Sequence, residues 1–217
     1  MKQGLTELVF ILDRSGSMSG LEKDTIGGFN AMLAKQKAVE GECRITTALF
    51  DTRYELLHDR IDIRAVSPIT ENEYSVGGCT ALLDAIGRTM QKIWAVQRHT
   101  GEEYRAEKVL FVIITDGEEN ASREYSSDGV KKLIEERKKE QGWEFIFLGA
   151  NIDAVETAGR FGIAPDRSQS YHADSRGVSL NYEVMSDAVA SFRMESAMPT
   201  GWNERISRDF ESRKRRR

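Results

Sequence analysis

Two apolar segments, each followed by an acidic motif, constrain the fold of this chain more than any other feature. Residues 8–12 (Leu-Val-Phe-Ile-Leu) precede Asp13, and residues 109–114 (Val-Leu-Phe-Val-Ile-Ile) precede Thr115 and Asp116. Short runs so rich in β-branched and aromatic residues are typical of strands covered on both faces, as in a parallel α/β sheet. Ligands of such sheets bind beyond the carboxyl ends of the strands. We therefore expect the two aspartates to lie close together at one edge.

Helical and strand patterns alternate along the rest of the chain. The periodicity predicts helices over residues 21–38, 81–97, 128–140, 153–161 and 178–194. Apolar runs predict strands over residues 44–50 and 143–148, and the mixed pattern of residues 53–63 predicts one or two antiparallel edge strands. Strands that alternate with helices of this length indicate parallel βαβ units, and therefore an α/β fold.

The first predicted helix contains two adjacent glycines, Gly27 and Gly28. Each glycine inside a helix costs about 1 kcal/mol relative to alanine, so their presence needs a reason. Either a close approach of this helix to the sheet or an early end of the helix would supply one.

The chain of 217 residues is predicted to form one domain over residues 1–196, followed by a basic C-terminal tail over residues 197–217. Helical periodicity fades in this tail, which ends in the basic cluster 213–217. Disorder is one interpretation. The recurrence of Trp202, Ile206 and Phe210 every four residues is also compatible with a short docking helix.

Composition limits the classes of partner and the compartment. The net charge of −4 gives no reason to expect nucleic acid as a partner, because phosphate binding needs a basic face. No segment approaches the roughly 20 apolar residues that span a bilayer, so no membrane association is expected. Cys43 and Cys79 are isolated, which predicts neither a disulfide framework nor a zinc site. We therefore expect a cytoplasmic, reduced protein.

Five oxygen-bearing side chains are predicted to meet at the sheet edge: Asp13, Ser15, Ser17, Thr80 and Asp116. Hydroxyl and carboxylate oxygens are the ligands that Mg²⁺ and Mn²⁺ prefer. Two carboxylates and three neutral hydroxyls leave a divalent ion with few anionic ligands. A free position on the ion would then attract a carboxylate from another protein. The competing interpretation is that the Asp-x-Ser-x-Ser turn only caps a helix.

Residues around these five carry weaker signals. Asp84 is predicted either to support the site or to be a solvated helix residue. Asp51 ends a predicted strand and is expected to be a turn residue, with a position near the same edge as the alternative. Residues 118–120 (Glu-Glu-Asn) form either a rim that selects a partner or a solvated acidic loop. Cys79 is expected to be a small buried packing residue.

Asp13-x-Ser15-x-Ser17, Gly78-x-Thr80 and Thr115-Asp116-Gly117 resemble the metal-ion-dependent adhesion site of the von Willebrand factor A (VWA) domain family, in its bacterial intracellular type. The resemblance covers about residues 5–195. It implies a Rossmann-like, mostly parallel sheet flanked by helices on both faces, with a bound Mg²⁺. It also implies that Asp13, Ser15, Ser17, Thr80 and Asp116 are the metal ligands.

The same resemblance implies a protein partner and no enzymatic activity. Intracellular relatives often work beside AAA+ ATPases or in stress-response assemblies, which is an expectation by analogy only. In some members the final helix shifts between two positions; residues 178–194 are the candidate for that helix here, and nothing in the sequence shows that it moves.

Two other functions remain open from the sequence. A Mg²⁺-dependent phosphatase or phosphotransferase of the haloacid dehalogenase type also places an aspartate after its first strand, but it needs a second carboxylate where this chain has Ser15. A VWA scaffold could instead bind its partner away from the metal. Neither a P-loop nor a Gly-x-Ser-x-Gly nucleophile elbow occurs in the sequence.

Overall fold

The computed structural model describes residues 1–214, which form a six-stranded sheet and six α-helices joined by loops and short 3₁₀ turns. The strands are β1 (Lys2–Asp13), β2 (Cys43–Phe50), β3 (Tyr54–Asp62), β4 (Ala106–Thr115), β5 (Glu144–Ala150) and β6 (Ser168–Tyr171). The helices are α1 (Glu22–Ala38), α2 (Leu82–His99), α3 (Ser127–Gln141), α4 (Ala154–Arg160), α5 (Ser175–Glu195) and α6 (Glu204–Lys214). Within residues 1–214, none of these helices is both long and apolar enough to cross a membrane.

The strand order is β3-β2-β1-β4-β5-β6, and every neighbouring pair is parallel except β2 with β3. The chain winds outward in one direction from β1 and in the other from β4, so the order switches between these two central strands. Leu12 of β1 pairs with Ile114 of β4, which places Asp13 beside Thr115 at the carboxyl ends. The predicted mostly parallel α/β sheet is confirmed, and its switch point lies where the two acidic motifs meet.

Helices cover both faces of the sheet, as predicted. Alternate residues of a strand point to opposite faces, so β1 contributes to two cores. Leu8, Phe10 and Leu12 belong to the core beneath α1 and α5, together with Phe29, Val178 and Met185. Val9 and Ile11 belong to the core beneath α2, α3 and α4, together with Ile86, Ile134 and Ala158. Because helices cover both faces of the sheet, the sequences of β1 and β4 are nearly continuous apolar runs.

Two elements at the C-terminal side lack a clear sequence signal. Strand β6 has the polar sequence Ser-Gln-Ser-Tyr and pairs only with β5, so it is a short edge strand. Of the two interpretations left open for residues 197–217, the structure describes a helix over Glu204–Lys214. Trp202 and Ile206 are buried in the core beneath α1 and α5. The last residues of the basic cluster, 215–217, lie outside the described residues.

The two glycines of α1 have a steric explanation that involves α5 rather than the sheet. A Cβ atom added at Gly28 would lie 2.6 Å from Cγ and 3.0 Å from Cβ of Tyr182, whereas one added at Gly27 would meet nothing within 4 Å. The helix also continues past both residues to Ala38. Gly28 therefore lets α1 and α5 approach closely, while Gly27 has no comparable contact.

We expect Gly28→Ala to lower the free energy of unfolding by about 2 kcal/mol, because the new methyl group displaces the Tyr182 ring from its packed position. Gly27→Ala, one residue away on the same helix, should raise it by about 0.5–1 kcal/mol through better helix propensity. Urea denaturation of both variants measures the two effects. Equal effects of the two substitutions would contradict the packing argument.

Candidate metal site

The Asp-x-Ser-x-Ser turn forms the first part of the site. Asp13 ends β1, and its Oδ1 accepts a hydrogen bond from the backbone N–H of Ser15 at 2.6 Å, so the carboxylate folds back over the turn. The Thr115 hydroxyl at the end of β4 donates to Asp13 Oδ2 at 2.6 Å. The hydroxyls of Ser15 and Ser17 lie 3.0 Å apart. Three predicted site residues are thus held together by local contacts and by β4.

The loop that precedes α2 is tied to this turn through backbone hydrogen bonds. Gly16 N–H donates to the Gly78 carbonyl at 3.1 Å, and Gly77 N–H donates to the Arg14 carbonyl at 2.9 Å. Gly78 has φ of +74°, in the left-handed region that favours glycine. A Cβ atom there would also lie 2.9 Å from the Thr52 hydroxyl oxygen. This glycine therefore allows the loop to bring Thr80 to the turn.

Thr80 and Ser17 face the same small space beside Gly117. A Cβ atom added at Gly117 would lie 3.2 Å from Ser17 Oγ and 3.3 Å from Thr80 Oγ1. Thr80 is buried, whereas Ser17 is exposed at the surface of the site. The hydroxyls of two separate loops therefore converge next to Asp116.

Asp116 is the least satisfied polar group of the site. Its side chain is only 2% exposed, and among the described residues neither carboxylate oxygen has a hydrogen-bond partner. A buried carboxylate without a partner is costly, so such groups in native proteins usually bind an ion or an ordered water. The structure thus brings together all five residues that the sequence singled out, and leaves one of them without a protein partner.

Burial also dominates the electrostatics of both carboxylates. It raises the pKa of Asp13, an effect that hydrogen bonds from Ser15 and Thr115 offset only in part. Burial raises the pKa of Asp116 as well; the nearby Ser17 hydroxyl lowers it, and the negative charge of Asp13 raises it further. Within residues 1–214, no cationic side chain forms an ion pair with either carboxylate. The guanidinium of Arg14 instead contacts Asp51 and Glu55.

This donor set fits a hard divalent cation. Two buried carboxylates without a protein counter-ion favour a positive ion between them, and the surrounding hydroxyls supply neutral oxygen ligands. Within residues 1–214, no group of three or more histidine, cysteine, aspartate or glutamate side chains is placed to hold a metal. The site differs from such clusters because hydroxyls make up most of its donors.

The loop that follows Asp116 is held in place by hydrogen bonds to two acidic side chains, those of Asp84 and Glu119. Asp84 on α2 accepts hydrogen bonds from the backbone N–H groups of Arg123, Glu124 and Tyr125, each at 2.9 Å. Burial raises the pKa of Asp84, but these three bonds and the positive charge of Arg88 lower it, and the net shift is downward. Asp84 therefore supports the site by fixing this loop, which is one of the two predicted roles.

Residues 118–120 do not act as a single rim. The Glu119 carboxylate accepts hydrogen bonds from the N–H groups of Leu83 and Ala121, and also from Ser122. Asn120 Oδ1 accepts a hydrogen bond from Thr80 N–H at 2.9 Å. Glu118 is exposed. Glu119 and Asn120 are thus positioning residues, whereas the exposed Glu118 makes no such contact within residues 1–214.

Two neighbouring residues differ from their predicted roles. Asp51 is more than a turn residue: it is buried at the same edge and accepts a hydrogen bond from Arg14 Nε at 3.1 Å and from Arg53 N–H at 2.6 Å. Cys79, expected to be buried, is exposed, because the loop that presents Thr80 inward turns the preceding side chain outward.

Sequence reasoning missed two further residues that contact Asp13. Thr115 belongs to the quoted motif, and its position next to Asp116 was the available signal for a structural role. Tyr74 donates its hydroxyl to the Asp13 carbonyl oxygen at 2.5 Å. No local pattern marks Tyr74, because it lies 61 residues away along the chain.

No protein-family model and no curated protein matches this chain. Solved structures do. Proximal thread matrix protein 1 from mussel byssus, with a zinc-occupied metal-ion-dependent adhesion site motif, is 13% identical with a TM-score of 0.59, over 85% of this chain and 46% of that one. The manganese-loaded TRAP protein of Plasmodium vivax is 20% identical with a TM-score of 0.59, over 83% of this chain and 72% of that one.

A von Willebrand factor type A structure from Catenulispora acidiphila is 11% identical with a TM-score of 0.57, over 86% of this chain and 42% of that one. The chain thus spans less than half the length of the mussel and Catenulispora proteins. Identities this low establish a shared fold and nothing further about function.

Proposed function

Because this chain has the fold of von Willebrand factor A domains, we propose that it is a metal-dependent protein-binding module. In this proposal Asp13, Ser15, Ser17, Thr80 and Asp116 hold a divalent cation at the carboxyl edge of the sheet. An acidic residue of a protein partner completes the coordination of that cation.

The unpartnered carboxylate of Asp116 is the observation that carries the proposal. This carboxylate is buried beside Asp13 and the hydroxyls of Ser17 and Thr80. Among the described residues, neither of its oxygens has a hydrogen-bond partner. A bound cation would act as a Lewis acid that attracts one more oxygen ligand. Asp13 and Asp116 would supply the negative charge that balances the ion, and the exposed Ser17 would supply a hydroxyl oxygen.

Two structural neighbours support a divalent ion in general, since one is described with zinc and the other with manganese. Mg²⁺ in this chain stays a prediction, as do the AAA+ ATPase or stress-response partner and the cytoplasmic location. The octahedral, oxygen-rich preference of Mg²⁺ and Mn²⁺ favours these two ions over zinc for a site without nitrogen or sulfur ligands.

A non-enzymatic role is part of the proposal. None of the three structural neighbours described above is named as an enzyme. At the position where a haloacid dehalogenase type phosphatase would carry its acid–base carboxylate, this chain has Ser15, whose hydroxyl pairs with that of Ser17. A serine hydroxyl has no pKa suited to general acid–base catalysis, so the geometry favours binding.

Affinity capture from native lysate tests this function. We expect the wild-type chain to retain a specific protein in the presence of Mg²⁺, and to lose it both in EDTA and in the variant Asp13→Ala. The matched control is Asp128→Ala, which removes an exposed aspartate from the first turn of α3 and should leave capture unchanged.

Capture that persists in EDTA and in Asp13→Ala would show that the partner binds away from the metal. Hydrolysis of a generic phosphate ester by the wild type, lost in Asp13→Ala, would instead support the phosphatase.

A further inference from the structure

The surroundings of the candidate metal site are acidic on more than one side. Glu118 lies two residues after Asp116, is exposed, and pairs with no other side chain of residues 1–214. Glu71, in the loop before α2, is likewise exposed and without a side-chain partner in this part of the chain. We call Glu71 and Glu118 the acidic rim; the negative charge of neither is neutralised by an ion pair within residues 1–214.

Two clefts flank the loop that carries Gly77 and Gly78. One has a volume of about 560 Å³ and is lined by Asp51, Glu55 and Glu73 and by two arginines. The other has a volume of about 710 Å³ and is lined by Glu22, Asp24 and Glu71 and by one lysine. Both clefts share Ser75 and Val76 as a common wall. Together they present six carboxylates against three cationic side chains.

The cationic side chains in these clefts differ in how far they neutralise the neighbouring carboxylates. Arg14 is buried and its guanidinium pairs with Asp51 and Glu55, so these three charges largely offset one another. Within residues 1–214, the other four carboxylates of the clefts form no ion pair. Arg53 is largely exposed, with 85% of its side chain accessible. A divalent ion would neutralise only the charges of Asp13 and Asp116. The surface around the ion therefore stays negative after the metal binds.

We propose that the carboxylate of the partner lies in a basic segment, flanked by lysine or arginine residues. This inference rests on the proposed function and names the class of partner for that site. An acidic residue flanked by further acids would meet like charges in both clefts and at Glu118, and like-charge contacts oppose association. Lysine or arginine residues that flank the partner's carboxylate would instead meet opposite charges. The buried Asp116 carboxylate has no hydrogen-bond partner of its own among the described residues, and it marks where the metal and the partner's carboxylate would bind.

Synthetic peptides of two compositions test this inference. One peptide is Gly-Lys-Lys-Asp-Lys-Lys-Gly, and the other is Gly-Glu-Glu-Asp-Glu-Glu-Gly. Calorimetric titration in Mn²⁺ at low salt should show the lysine peptide binding about tenfold more tightly or better, and this preference should shrink as salt screens the charges. A third peptide with asparagine in place of the central aspartate should lose metal-dependent binding.

A pair of double variants separates the rim from the overall charge of the protein. In Glu71→Gln/Glu118→Gln, the preference for the lysine peptide should fall to about threefold or less. The matched control Glu102→Gln/Glu103→Gln removes the same charge from the exposed turn before β4, near the amino ends of the strands, and should keep the full preference.

Equal affinities for the lysine and glutamate peptides, or an unchanged preference in the rim variant, would overturn this inference. Metal-dependent binding of the aspartate peptides would still support the proposed function in that case. Binding that ignores both the metal and the central aspartate would overturn the proposed function itself.

Discussion

Replacing Asp116 with asparagine should weaken Mn²⁺ binding by about 100-fold or more, because ligand charge largely sets the affinity of an oxygen site for a divalent ion. Asparagine keeps the size of the side chain but removes one of only two anionic ligands. In the wild type, a metal concentration of 100 times the Kd should raise the free energy of unfolding by about 2.7 kcal/mol. Isothermal titration calorimetry and thermal denaturation with and without metal measure both quantities.

The metal-free stability of Asp116→Asn distinguishes a binding role from a structural one. The wild-type carboxylate is buried with no protein partner, so its removal should leave stability in EDTA unchanged or slightly higher. Asp128→Asn, at the exposed start of α3, is the control and should bind Mn²⁺ like the wild type. Wild-type affinity in Asp116→Asn would remove this residue from the ligand set. A large loss of stability in EDTA would point to a purely structural role.

Replacing Trp202 with alanine should lower the free energy of unfolding by about 3 kcal/mol. Trp202 is 8% exposed and packs into the core shared by β1, α1 and α5. Its indole N–H donates to the Asp166 carbonyl oxygen at 2.9 Å, which ties the start of α6 to the segment before β6. The truncation removes a large apolar surface and leaves that carbonyl without its donor.

Urea denaturation of Trp202→Ala measures this loss as a lower midpoint with an unchanged slope. The control is Met194→Ala, near the end of α5, where the side chain is 62% exposed and the effect should stay within about 0.5 kcal/mol. Wild-type stability in Trp202→Ala would mean that the segment after residue 196 is energetically separate from the domain.

The sequence predicted the central elements because their signals are local. The apolar runs of β1 and β4 reflect burial on both faces, and each ends at a residue of the site, so strand type and site position follow from one pattern. Helices α1, α2 and α5 were predicted to within a few residues from their periodicity. The approach of Asp13 to Asp116 then followed from the rule that parallel strands share a carboxyl edge, whereas the loop before α2 brings Thr80 to the same place.

What the sequence did not predict depends on contacts between distant segments. Strand β6 is short and polar because it is an edge strand, so it lacks the apolar run that marks β4. Asp51, Tyr74 and Asn120 act through partners far along the chain, and residue type alone did not distinguish them from turn or loop residues. The exposure of Cys79 follows from a loop geometry that only the three-dimensional structure defines.

The seating of the Tyr182 ring over Gly28 limits how this domain can change shape. The ring lies against bare backbone at one position of α1, and one helical turn away, about 5.4 Å, it would meet Asp24 or Met32. Helices α1 and α5 can therefore keep their present separation only at this axial alignment. Sliding of α5 along α1 by one turn would place the Tyr182 ring against a side chain and force the two helices apart.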